Sequence, residues 1–264
     1  LPAVDPERLR NQIGRVVAVF DDPPRFRFRC LELLEFYESR VRPTAFGSAS
    51  VGIRALGVPT AVLRDLEAEL RSAAEADTYA GAMNAETLWT APVVEARLLA
   101  IAIVETQPAS GISDWVGAWA DTAEDPLLID RLARGPLRSL HAADGLGYWS
   151  ALRGYLESRS APRVTLAMDS IGELAAELPD DELAEVFAAL GAARLPGTGE
   201  SWRALVEMMR RLAARTPAET AQHLIDAMAA ARPNAARLAR QTLDAFPGRQ
   251  RQALRRELRL ASAG

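Results

Sequence analysis

The residues on which chemistry could rest are scarce in this 264-residue chain: one cysteine, two histidines and five tryptophans. Cys30, His141 and His223 are far apart and too few for a tetrahedral zinc site, so no metal and no other cofactor is expected. No serine sits in a nucleophile elbow. The glycines of Pro196-Gly197-Thr198-Gly199-Glu200-Ser201 lack the lysine and the spacing of a phosphate-binding loop and read as a flexible connection. His141 falls just after a predicted helix and His223 on one, so both read as surface or helix-terminal rather than catalytic. Cys30 lies in the apolar phase of a predicted helix near Phe28, Leu31 and Leu34, where a buried structural thiol is expected.

The tryptophans are Trp89, Trp115, Trp119, Trp149 and Trp202. Between stacked helical layers such rings serve packing; one pointing into a groove would stack on a base or a peptide. Trp115 and Trp119 stand one helical turn apart and can share a face. Asp180, Asp181, Glu182 and Glu185 form an acidic cluster that suits either a cation or partner site or a solvated helix start favoured by the helix dipole.

The elements that would position these residues are helices. Runs of alternating β-branched residues are missing, and Asp144-Gly145 has no alternating apolar flanks to make it a hairpin turn. Prolines 6, 24, 59, 92, 126, 162, 179, 217 and 233 fall where helices should begin, since a helix's first turn has no use for the missing N–H. Asp5, Asp125 and Thr216 precede some of them as caps. Apolar stripes of helical period follow: Val62, Leu63, Leu66, Leu70; Val94, Leu98, Ile101, Ala102; Leu127, Leu128, Leu132, Leu137, Leu140; Leu205, Met208, Met209, Leu212.

Helices start near 59, 92, 126, 162, 200 and 233, with second helices near 77–89, 113–121, 146–158, 179–192, 217–231 and 248–261. A helix pair repeating at intervals in the thirties predicts an all-α solenoid of about six stacked antiparallel helix pairs. The pattern reads as a single domain over 1–264, with an N-terminal helical cap at 1–45, core repeats at 56–231 and a basic C-terminal repeat at 232–264. Segments 43–52 and 194–201 read as the most mobile connections.

Composition is that of a water-soluble globular chain, with 49% hydrophobic and 25% charged residues. Lys is absent, as expected of a GC-rich genome. No charged start precedes an apolar core and a cleavage site, and the apolar run 98–104 is too short for a bilayer, so a cytoplasmic protein without a membrane role is expected. Residues 231–264 set eight Arg against Asp244 and Glu257, and residues 1–45 set eight Arg against seven acids; with −4 overall, residues 46–230 carry about −11. The positive charge is gathered at the C-terminal end.

Four segments carry a resemblance. They are Leu56-Gly57-Val58-Pro59-Thr60-Ala61-Val62-Leu63-Arg64; Leu88-Trp89 followed by Val94-Glu95-Ala96-Arg97 and Ala100-Ile101; Asp130-Arg131-Leu132-Ala133; and Ala204 to Pro217, ending Arg210-Arg211-Leu212-Ala213-Ala214-Arg215-Thr216-Pro217. In this order the chain resembles the bacterial DNA alkylation repair family of HEAT-like repeat proteins, the AlkD-like alkylpurine DNA glycosylases. The resemblance implies a HEAT-like solenoid whose concave face takes duplex DNA. It also implies excision of N3- and N7-alkylpurines without flipping the base into a pocket. An aspartate would support positive charge on the sugar, while two tryptophans and an arginine frame the nucleotide.

Carried over residue by residue, the family aspartate falls on Asp130 and the tryptophan four residues before it on Pro126; a rival register uses Trp119 and Asp121. The arginine falls on Arg163 or Val164, as phosphate or lesion clamp, and the later tryptophan on Glu207 or Met208. Asp130, Arg163 and Glu207 are expected to converge on the concave face, with Arg163 bridging the two acids. Arg251, Arg255, Arg256 and Arg259 of the last helix are expected to contact DNA, and Arg249 to be exposed beside them. The same groove would alternatively hold a protein partner on a scaffold without glycosylase chemistry.

Overall fold

A computed structural model describes residues 5–39, 52–123 and 125–260. Among them every regular element is helical, and the only strand-like feature is an isolated bridge between Arg54 and Val93. The helices fall into two compact units, Leu1–Asp144 and Gly145–Gly264.

The first unit holds α1 (Pro6–Val17), α2 (Pro23–Phe36), α3 (Thr60–Ala76), α4 (Thr78–Trp89), α5 (Val94–Val104), α6 (Ala109–Thr122), α7 (Pro126–Arg134) and α8 (Pro136–Ala143). Helices α1, α3, α5 and α7 pack in succession as one row; α2 packs on α4, and α6 on α8, behind it. The second unit holds α9 (Gly145–Glu157), α10 (Ala161–Leu174), α11 (Asp180–Ala192), α12 (Gly199–Arg215), α13 (Pro217–Ala229), α14 (Ala235–Thr242) and α15 (Gly248–Leu260), with a 3-10 turn at Leu243–Ala245. There α10, α12 and α14 form one row, and α9, α11, α13 and α15 the other. This is the helical-repeat architecture expected from the proline spacing.

Local chemistry sets the helix starts. The carboxylates of Asp5, Asp22, Asp77 and Asp125 accept main-chain N–H groups at the starts of α1, α2, α4 and α7, each such cap contributing about 1 kcal/mol. Thr216 differs from its expected role: its hydroxyl donates to the Glu219 carboxylate and accepts no main-chain N–H of α13.

The stripe from Leu127 to Leu140 is not one helix. It breaks at Gly135-Pro136, because Pro136 has no N–H to continue the ladder and instead opens α8. A Cβ on Gly135 would run into the carboxylate of Glu105, so a larger residue at the break would have to displace that side chain. The helix near 146–158 then packs as α9 on α10 and α11, inside the second unit.

Two polar residues from the family-like segments are buried and structural. Glu95 is fully buried, and its carboxylate accepts the N–H groups of Leu56, Gly57 and Val58 at 3.0, 2.6 and 3.4 Å. It thereby fixes the turn before α3, where Gly57 has a left-handed φ of 68° that suits glycine. Arg97 donates to the carbonyls of Ala91 and Thr122 at 3.2 and 2.9 Å and lies over the Trp89 ring. Trp89 in turn stacks parallel to Trp119, with ring centroids 4.4 Å apart.

Cys30 is buried, and burial pushes its thiol up to about 12. Phe26 shares its inward face; Phe28, two residues away and therefore on the other side of the helix, points to solvent. Of the two connections read as mobile, 43–52 lies, apart from Gly52, outside the described residues. The other is held by side chains. Arg232 donates to the carbonyls of Leu190 and Ala193, Asn234 to Pro196, and Arg237 to Gly197.

Candidate functional site

Asp130 stands on α7, whose inward face is Leu128, Ile129, Leu132 and Ala133. That stripe leaves Asp130, Arg131 and Arg134 toward solvent. Arg134 Nε donates to Asp130 Oδ1 at 2.8 Å, and 43% of the aspartate side chain remains exposed. Arg131 reaches across to α3, with Nη2 3.4 Å from Oε1 of Glu67. Glu105, just beyond α5, pairs with Arg71 of α3 and presses against Gly135. Burial raises the Glu105 carboxyl above the ordinary carboxylate value, while Arg71 and Arg131 pull it down. The carboxylates and guanidiniums of Glu67, Arg71, Glu105 and Arg131 thus brace α7 from α3 and α5, and α7 holds Asp130 on a rigid support.

The rival register fares differently. Trp119 is 3% exposed and has its ring face on Trp89, so it is packing and not a wall for a nucleotide. Asp121 is exposed in the last turn of α6.

In the second unit, Arg163 is half-buried in the first turn of α10, where its main-chain N–H donates to Ser160 Oγ. Val164 belongs to the core, as does Met208. Of each pair of alternatives, the charged residue is the one that reaches the surface. Glu207 is exposed on α12, and its carboxylate accepts from Arg211 Nε at 3.1 Å; Nη1 of the same guanidinium donates to Glu173 at 2.9 Å. The bridging arginine at Glu207 is therefore Arg211. Asp130 belongs to the first unit, Arg163 and Glu207 to the second. Arg134 and Arg211 were not singled out from sequence, although each stands four residues after its acid, the spacing that pairs side chains on a helix.

The remaining candidates are mostly spent on packing. Trp149 is buried and donates to Glu182, and Trp202 donates to Gln241 under the Arg237 guanidinium. Trp115 is half-buried. Within the acidic cluster, Asp180 pairs with Arg215 and Glu185 with Arg153. His223 is half-buried against Phe187. No cluster of His, Cys, Asp or Glu suited to a metal occurs among the described residues. No helix there is long and apolar enough to cross a membrane.

On α15, Arg249, Arg255, Arg256 and Arg259 are exposed. Arg251 is half-buried and donates to the carbonyls of Leu243, Asp244 and Phe246 at 3.1, 3.2 and 2.8 Å. Its guanidinium closes the turn between α14 and α15.

Residues 38–167, from just after α2 into α10, match the family described as DNA alkylation repair enzyme. No curated protein and no solved structure gives a match.

Proposed function

We propose that this chain binds duplex DNA as a member of the alkylation repair type, with Asp130 as the carboxylate that supports excision of cationic N3- or N7-alkylpurines. The observation that carries the reading is the family match, which includes α7 and Asp130. The chemistry asks little of the protein. An alkylpurine already carries positive charge; when the C1′–N bond breaks, its electron pair goes to the base, which leaves neutral. The positive charge passes to the sugar, where an ionised carboxylate stabilises it electrostatically. Water then adds at C1′ and loses a proton. A half-exposed Asp130 on a braced helix suits this role, and Arg163 is the proposed clamp on phosphate or lesion.

A second reading is a scaffold for a DNA structure or a protein partner, without excision. Two observations favour it: Asp130 is paired with Arg134, and Glu207, one of the two positions that the resemblance gives to a family tryptophan, is paired with Arg211. Incubation with duplex DNA containing N7- or N3-methylpurines separates the two. Released base that disappears in Asp130→Asn supports excision. Duplex binding without release supports the scaffold, and a protein that binds no duplex defeats the proposal.

A further inference from the structure

We propose that α15 is an anchoring surface for the sugar-phosphate backbone of duplex DNA, formed by Arg249, Arg255, Arg256 and Arg259. The inference rests on the DNA-binding reading above and adds where the electrostatic grip lies.

The basic C-terminal stretch separates into two kinds of arginine. Arg232, Arg237 and Arg251 are committed to main-chain carbonyls that hold the turns around α14. The fold's own need for guanidinium donors is met by these. On α15, Arg249, Arg255 and Arg259 have no ion-pair or hydrogen-bond partner among the described residues, while Arg256 pairs with Glu257, the one acid of the helix, at 3.1 Å and stays exposed. Five other arginines of the second unit, Arg153, Arg203, Arg210, Arg211 and Arg215, each pair with a carboxylate. Elsewhere, partner-free arginines such as Arg27 and Arg194 stand singly. Among the described residues, α15 is where three of them share one helix face with a fourth exposed arginine.

Helix geometry turns this group into a surface. Leu254 and Leu258 are the buried residues of α15. At 3.6 residues per turn, the four arginines occupy an arc of roughly 120° facing away from that stripe, and Arg249 to Arg259 spans roughly 15 Å along the axis. Like charges so arranged repel one another in the free protein, a cost that a polyanion removes. Guanidinium forks match phosphate oxygens in geometry as well as charge. A DNA duplex carries one negative charge per roughly 1.7 Å of its axis, so a 15 Å contact meets several phosphates at once.

The test is fluorescence anisotropy of a labelled undamaged duplex titrated with the full chain over a series of salt concentrations. The expected result is that replacing all four arginines by Gln lowers the slope of log K against log salt by about 3 to 4, because each lost phosphate contact removes about 0.9. The fourfold Arg→Lys variant keeps the wild-type slope. Arg251→Gln lowers the melting temperature but leaves the slope unchanged. Circular dichroism verifies folding, which these exposed positions should not disturb. A folded fourfold Gln variant with the wild-type slope overturns this proposal and leaves the DNA-binding reading standing. A wild-type chain that fails to bind duplex at about 50 mM salt overturns both. So does one whose four arginines bind anionic-lipid vesicles or polyglutamate but not DNA.

Discussion

Arg134 holds the carboxylate of Asp130 from one turn further along the same helix, Nε to Oδ1 at 2.8 Å, with both side chains about half in water. A solvated pair of this spacing contributes about 0.3–0.5 kcal/mol. It is therefore a weak restraint, which an approaching phosphate can displace by competing for the guanidinium. Arg134→Ala should leave the unfolding free energy within about 0.5 kcal/mol of wild type in urea titrations. Under the excision reading, it should also release methylpurine at least as fast as wild type, because a cation beside the catalytic carboxylate has been removed. A loss of stability above about 2 kcal/mol would show that the pair is a structural tie instead.

Glu95 presents two carboxylate oxygens to three main-chain N–H groups in a site sealed from water. Glu95→Gln keeps the shape but turns one acceptor into an NH2 that faces other donors. The expected loss is about 2–4 kcal/mol in denaturant unfolding, since hydrogen bonds to buried charge are strong and an unmet donor is costly. Amide exchange of residues 56–58 should accelerate more than that of α10. Wild-type stability in this variant would mean that the turn before α3 finds other acceptors.

His223 supplies the pH dependence. Burial first, and then the Arg232 charge, hold its imidazole below the ordinary 6.5, with Asp226 pulling the other way. The unfolded chain therefore takes up a proton that the folded one resists. The stability tied to this group is complete above pH 6.5 and drains away as pH falls from 6.5 through the depressed folded value. Wild type should lose stability relative to His223→Phe between about pH 7.5 and pH 5. A difference between the two proteins that stays constant over this range would remove His223 from the titration.

Much of the architecture was legible because helix starts leave local marks. Proline at a first turn and an aspartate before it are read from neighbouring residues alone, and α1, α2, α7 and α13 begin as expected. The break at Gly135-Pro136 was passed over because Leu127–Leu132 and Leu137–Leu140 each keep helical spacing, so periodicity runs through it; the dipeptide itself was the available signal. What crowds that position is Glu105, thirty residues earlier in the chain, and no local pattern announces a contact of that range. The candidate site was legible only in part. The pairings Asp130–Arg134 and Glu207–Arg211 have the four-residue spacing that would have signalled them, whereas the bridging role was expected of Arg163. The separation of Arg251 from its neighbours on α15 depends on where the carbonyls of 243–246 point, which only folding decides.

The Leu88-Trp89 and Glu95-x-Arg97 segments have a consequence for descent. Trp89 is stacked on Trp119, Glu95 is occupied by main-chain amides, and Arg97 by two carbonyls. Loss of any of these damages the scaffold itself, whatever the chain does with it. Purifying selection for foldability alone would preserve such a signature long after an activity had changed. Asp130 and Glu207, each paired with an arginine one turn along its own helix, lie outside that constraint. Kinship in this lineage is written in the packing, whereas the trade a member practises has to be read from a few solvent-facing side chains.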